Sequence, residues 1–242
     1  MATYIIDGDK GGVGKSFVAR AFADYLINSK SSGEVVVFDC DPTTRDVVGN
    51  SGFDEKEIVG NVTVNGISAP IDSQEDWFNT IDVASKLVTA EVDFVFSLPA
   101  GAGLLIDDTV LSLFDLITPV TTVWVMGRDQ SSVDQLHERV RRAPKFYERG
   151  LVALNEFHGS VEKGAFDLWQ RDDIRGEIVR EDGWREFRVP ILNVFVTKTI
   201  KNMPLHRAVE LSISGRTSPT IRVGIEAFRR ALRAEILRAA GD

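Results

Sequence analysis

Cysteine is nearly absent: Cys40 is the only one in 242 residues. No internal disulfide can form, a self-contained multi-cysteine metal knuckle is excluded, and a reducing, cytoplasmic compartment is expected. Long apolar runs are missing too. No uninterrupted stretch approaches the roughly 20 residues that a membrane-spanning helix needs. Met1-Ala2-Thr3-Tyr4 lacks the basic region of a secretory signal, and the first apolar run breaks at Asp7, so neither secretion nor spanning is expected. Positive charge is in deficit, with 28 Lys and Arg against 36 Asp and Glu and a formal net charge of -8. That balance excludes a surface that is a nucleic-acid footprint throughout and leaves only local arginine patches for such contacts. Internal repeats and low-complexity tracts are also lacking. What remains is 43% hydrophobic and 26% charged, the composition of a folded body that a single domain spanning 1–242 accounts for.

Short β-branched runs alternate with helical patterns along the chain. Tyr4-Ile5-Ile6, Val35 to Phe38, Val92 to Phe96, Thr121 to Met126, Leu151 to Leu154 and Ile191 to Val196 read as strands. Ser16 to Asn28, Trp77 to Thr89, Thr109 to Phe114 and Ser131 to Arg142 read as helices between them. Gly49 to Gly66 reads as loops with room for one short helix or an edge hairpin. This alternation predicts an α/β fold with a doubly wound, mostly parallel sheet. Ser160 to Arg188 is longer than an ordinary connection and carries isolated Trp169, Ile174, Ile178 and Trp184. It is expected to hold its own helix or to form a partner-binding excursion inserted at about 160–188. Over 220–240, Ile221, Ile225, Phe228, Leu232 and Ile236 recur at three- and four-residue spacing and predict an amphipathic helix.

The chemistry concentrates at Gly8-Asp9-Lys10-Gly11-Gly12-Val13-Gly14-Lys15-Ser16. A glycine, four residues and then Gly-Lys-Ser, placed between a strand and a helix, is the phosphate-loop pattern. Gly11, Gly12, Val13 and Gly14 let backbone amides close around a phosphate, and the helix start at Ser16 and Phe17 adds its positive end. Lys15 is expected to reach the β and γ phosphates of ATP, and the Ser16 hydroxyl to ligate Mg2+. A glycine-rich turn made only for tight packing explains neither the lysine nor the serine. Lys10 is an additional cation whose stem could project to solvent or across to a second subunit. Asp39 and Asp41 close the second predicted strand, where open α/β sheets bind ligands. Capping of the following turn is the competing reading of both.

Lys10 to Ser16 resembles the ParA/MinD family of ATPases, whose deviant phosphate loop reads Lys-Gly-Gly-x-Gly-Lys-Ser/Thr. Val36-Val37-Phe38-Asp39-Cys40-Asp41-Pro42 is similar to the same family's strand ending in Asp-x-Asp-Pro. The resemblance implies a P-loop NTPase fold and a homodimer sandwiching ATP, with Lys10 contacting the partner's phosphates. It also implies that Asp41 orients the attacking water, that Asp39 lies near the magnesium shell, and that Asn155 contacts adenine. Val196 to Thr199 and Pro204 resemble the family's late loop beside the base. One block departs from the pattern: Phe96-Ser97-Leu98-Pro99 has Ser97 where an aspartate is expected. Hydrolysis is therefore expected to be weak or stimulated by a partner, and Asp93 reads as a solvated strand-start residue.

Family members place plasmids, chromosomes, division regulators or parts of conjugation machines. The resemblance thus implies an ATP-driven switch in plasmid or chromosome partitioning or DNA transfer, aided by an adaptor or activator protein. The alternative is a weakly hydrolysing scaffold that docks a protein of a conjugative or secretion machine through Ser160 to Arg188. Arg139, Arg141 and Arg142, with Arg229, Arg230 and Arg233 on the last helix, could contact non-specific DNA phosphates. A solvated helix surface is the competing reading of those arginines. The stripe from Ile221 to Ile236 suits docking on the sheet better than a membrane anchor.

Overall fold

The computed structural model describes residues 1–49, 51–181 and 183–240. Eight strands form one sheet: β1 (Thr3–Asp7), β2 (Gly33–Asp39), β3 (Glu57–Val59), β4 (Val62–Ser68), β5 (Val92–Ser97), β6 (Val120–Met126), β7 (Gly150–Asn155) and β8 (Arg185–Val189). Their order is β3-β4-β2-β5-β1-β6-β7-β8. All neighbours are parallel except the β3–β4 hairpin at the edge. The helices are α1 (Lys15–Ser29), α2 (Gln74–Lys86), α3 (Asp108–Leu113), α4 (Gln130–Arg142), α5 (Asp167–Arg171), α6 (Asp173–Gly176), α7 (Val194–Ile200), α8 (Leu205–Ile213) and α9 (Pro219–Ala240).

Side-chain alternation along the central strands feeds two cores on opposite faces of the sheet. Ile6, Val35, Val37 and Val95 pack toward α1 and α9 with Phe22, Ile225 and Phe228. Ile5, Val36, Phe38 and Phe96 pack with Trp77 of α2 and Leu136 of α4. The α9 stripe is buried as its spacing predicts, with Ile221, Ile225, Phe228, Leu232 and Ile236 inside. Ser73 and Asp76 form a reciprocal capping box that starts α2 three residues ahead of Trp77. Among the described residues no helix is long and apolar enough to cross a membrane.

Three expectations change. Ile191 to Val196 is not a strand: Pro190, which has no N–H, follows β8, and the Asn193 side chain accepts the Phe195 N–H at 2.9 Å to cap α7. The last strand lies earlier, inside the 160–188 segment, where Arg185–Val189 pairs with β7. That segment does hold short helices, α5 and α6, but its aromatic residues face inward. Trp169 and Trp184 are buried with Ile178, and the Trp184 indole N–H donates to the Tyr147 carbonyl at 2.8 Å. Asp93 is not solvated either; it lies within β5, buried, accepting from Lys30 Nζ and from the Ala2 N–H, each at 2.7 Å.

Trp184 fills the space that Gly150 leaves, since a Cβ at Gly150 would stand 1.9 Å from the indole ring. Trp184→Ala should therefore cost about 3–5 kcal/mol of stability by emptying a core position. Urea unfolding measures it; a loss under about 1 kcal/mol, the range of a surface substitution, would show that the segment is peripheral.

Candidate functional site

β1 carries the chain into the phosphate loop at the point where the strand connections diverge to either side of the sheet, with β5 on one flank and β6 on the other. Asp7 closes the strand fully buried, and its Oδ1 accepts the Gly8 N–H at 2.7 Å. Its Oδ2 accepts from Arg139 Nη1 at 3.4 Å and from the Tyr147 hydroxyl at 3.1 Å. Burial pushes the Asp7 carboxyl above its ordinary range, and Arg139 leads the groups that pull it back.

Gly12 and Gly14 have φ of 85° and 101°, in the left-handed region that suits glycine. Gly14 has a second reason to lack a side chain, because a Cβ there would fall 2.2 Å from Asn155 Nδ2. It sits at the N-cap of α1 and offers no side-chain cap, so the first amides of the helix are presented to the loop. Lys15 is buried at the floor, and its Nζ donates to the Lys10 carbonyl at 2.8 Å. Desolvation lowers its pKa from the ordinary lysine value, with Asp7 foremost among the charges opposing that shift. Lys10, Gly11 and Gly12 form an exposed lip. Lys10 Nζ pairs there with Asp129, which raises the lysine pKa and lowers the aspartate's. Ser16 and Phe17 are half-buried on the first turn of α1.

Two cavities flank the loop. One, of about 260 Å³, is bounded by Gly14, Phe17, Asn155, Leu192, Thr197 and Ile200. The other, of about 200 Å³, is bounded by Lys10, Gly11, Gly12, Gly127, Arg128 and Asp129. Asn155 braces the loop by donating from Nδ2 to the Val13 carbonyl at 3.1 Å, and its Oδ1 accepts the Phe157 N–H at 3.2 Å. It therefore shapes the turn after β7 and lines the first cavity together. Thr197 reaches that cavity from α7.

Asp39 ends β2, opposite Ser97 of β5. Its Oδ2 accepts the Val47 and Val48 N–H groups at 3.0 and 3.1 Å, and Oδ1 accepts the Asp41 N–H at 3.4 Å. The carboxylate thereby organises the following loop, and desolvation raises its pKa. Asp41 is half-buried. Its Oδ1 accepts from the Thr43 N–H, the Thr43 hydroxyl and the Thr44 N–H at 2.8, 2.7 and 3.1 Å. Desolvation would raise its pKa, but these bonds outweigh it and hold the carboxyl below the ordinary range. Both aspartates thus make the turn contacts of the competing reading, while Asp41 Oδ2 takes no hydrogen bond among the described residues. Ser97 is buried at the end of β5 and places no carboxylate there.

Of the six arginines expected to meet DNA, Arg139 is internal and Arg229 is half-buried in an ion pair. Arg139 is only 2% exposed; besides Asp7, its guanidinium carbon lies 5.9 Å from the Trp124 ring centroid, within cation–π range. Gly103 makes the space, since a Cβ there would stand 1.7 Å from Arg139 Nη1. Arg229 is a two-pronged partner of buried Asp24, donating at 2.8 and 2.6 Å. Both positions follow from their helices: Arg139 sits beside Val140 on the face carrying Val133 and Leu136, and Arg229 sits next to Phe228. Arg141, Arg142, Arg230 and Arg233 remain exposed.

Asp129 and Tyr147 went unremarked in the sequence, and Asp7 was read only as the break in the first apolar run. Asp7 carried the same signal as Asp39, a carboxylate ending a buried run, whereas Asp129 and Tyr147 carried none until the fold assembled them. Arg139→Ala should destabilise the protein by about 3–5 kcal/mol, because it strands a buried carboxylate. Arg141→Ala, at an exposed site, should stay within about 0.5 kcal/mol. Equal effects of the two in chemical unfolding would refute the buried-pair assignment.

No family model matches the chain. It is 27% identical over 222 residues to Protein MobD of Acidithiobacillus ferrooxidans, covering 90% of this chain and 91% of that one. The ParA family ATPase of Chlorobium tepidum superposes with a TM-score of 0.55 at 14% identity, over 95% of this chain and 99% of the other. The septum site-determining protein MinD of Pyrococcus horikoshii, solved with Mg-ADP, gives 0.54 at 16% identity, over 96% and 95%. Strand order, loop and these superpositions together establish that the chain has the fold of the MinD and ParA ATPases.

Proposed function

We propose that this chain is a Mg-ATP-dependent dimerising ATPase switch of the ParA/MinD type, acting in plasmid or chromosome partitioning or in DNA transfer. One observation carries the reading: a single phosphate loop holds two lysines in opposite settings, Lys15 buried at its floor and Lys10 exposed at its lip. Lys15, its Nζ resting on the Lys10 carbonyl, would meet phosphate charge within the protomer. Lys10, exposed and paired with Asp129 in the single chain, would exchange that carboxylate for a second subunit's nucleotide. The loop fits a polyphosphate: two left-handed glycines, an uncapped helix start and the buried Lys15 ammonium are its features. Mg2+ binds through few protein oxygens together with substrate phosphates. The Ser16 hydroxyl would hold it, and Asp39, already accepting three amides, would act from behind the ion. Mg2+ would neutralise developing phosphate charge. Asp41, with Oδ2 free, would orient the attacking water, and the apolar cavity beside Asn155 would take the base. Exposed Arg141, Arg142, Arg230 and Arg233 are the residues left for DNA phosphates, and an adaptor protein would stimulate turnover.

The fit of the loop gives a direct expectation. Lys15→Ala should weaken Mg-ATP binding roughly 10- to 100-fold, the cost of a lost charge-assisted contact. Lys10→Ala should keep monomer binding yet lose the dimer formed on a slowly hydrolysed ATP analogue, read by light scattering. Undiminished affinity in the first variant would overturn the site, and a normal dimer in the second would overturn the sandwich.

Ser97 favours a second reading, an ATP-binding scaffold with little turnover that docks a protein partner. Its partner surface would not be the aromatic residues of 160–188, since Trp169 and Trp184 are internal. Restoring the charge with Ser97→Asp should raise phosphate release several-fold if the missing carboxylate limits hydrolysis; unchanged release would assign that limit elsewhere.

A further inference from the structure

His158 ends the short turn Glu156–His158 that follows β7, and its carbonyl is held by Arg128 Nη1 at 3.0 Å. The ring edge is the unusual part. Nε2 is buried and has no hydrogen-bond partner among the described residues. A buried ring nitrogen left unmatched costs about 1–3 kcal/mol, so a partner is to be expected in the working protein. The atom lies 3.8 Å from where a Cβ on Gly14 would stand, directly beside the start of α1. His158 also lines both cavities flanking the loop, the apolar one beside Asn155 and the polar one beside Lys10.

From this placement we propose that His158 contacts the nucleotide through Nε2 at the junction of sugar and α-phosphate. The inference rests on the nucleotide reading of the loop. A base in the apolar cavity and a polyphosphate on the loop must be joined by that junction, and His158 stands where the two spaces meet. The neighbouring groups support a polar contact there: the loop glycines bring no side chains, and one of the two Asn155 Nδ2 N–H bonds is already spent on the Val13 carbonyl. Arg128, by fixing the His158 backbone, acts as a positioning residue. The ring then discriminates a nucleotide from a bare phosphate chain, a distinction that Lys15 and the loop amides do not make.

The test compares binding of ATP, ADP and inorganic pyrophosphate, each with Mg2+, to wild type, His158→Ala and His158→Gln. His158→Ala should weaken ATP and ADP by a common factor of roughly five to ten while leaving pyrophosphate unchanged. His158→Gln, which keeps a donor at similar reach, should recover most of the loss and guards against a folding artefact in the alanine variant. Wild-type ATP affinity in His158→Ala would overturn the inference, as would an equal loss for pyrophosphate, which would mean that the residue acts on the loop. Lys15→Ala measured alongside separates the two levels. Dependence on Lys15 without dependence on His158 removes only this contact, whereas dependence on neither removes the nucleotide site.

Discussion

Asp7 is a carboxylate taken wholly out of water one residue before the phosphate loop, and the surrounding structure is arranged to match it. Burying an ion costs several kcal/mol unless charge and hydrogen bonds are supplied in place. Three elements supply them. The loop gives its first amide, α4 gives Arg139, and the turn beyond α4 gives the Tyr147 hydroxyl. Gly103 must be small for the guanidinium to lie there, and Trp124 of β6 faces it. The position of α4 on the sheet, and with it the start of the loop, is thereby tied to one pair of charges. The same carboxylate is the leading charge that supports a positive Lys15 against desolvation.

Above that pair, sheet order decides what meets the loop. β1 lies between β5 and β6, so connections on its two sides leave in opposite senses and open a crevice at the strand ends. Residues far apart in sequence converge there: Asp39 ending β2 and Asp41 just after it, Ser97 ending β5, Asp129 after β6, Asn155 ending β7 and His158 after it. The glycines of the loop add no side chains, so the loop's lysines and these flanking residues together set the chemistry of the crevice.

The segment after β2 is held more tightly than its polar composition suggests. Asp39 takes the Val47 and Val48 amides, Arg20 of α1 donates to the Asp46 carbonyl at 2.5 Å, and Asn202 donates to the Asp46 carboxylate at 2.7 Å. Desolvation lowers the Arg20 pKa to about 10. Farther along, Arg207 of α8 reaches the Gly52 carbonyl and the Asp54 and Glu57 carboxylates, while His206 stacks on Phe53. Helix α1, which begins at the phosphate loop, is thus linked through the Arg20 side chain to the loop bearing Asp41, and that loop in turn to α8.

The sequence by itself determined the alternation of elements, the phosphate loop and the buried stripe of α9, because these are local. A run of β-branched residues, a glycine spacing or a 3.6-residue period is set by neighbours along the chain. It failed where local signals compete: Ile191 to Val196 has the residues of a strand, but Pro190 and the Asn193 cap turn it into a loop and helix. Only the tertiary structure decided which arginines are internal, where Trp169 and Trp184 point, and that Asp93 is paired with Lys30. An arginine on a helix reads the same whether it faces water or a carboxylate 132 positions earlier in the chain. Its partner is chosen by sheet order and helix docking, which arise from burying two separate cores on one sheet.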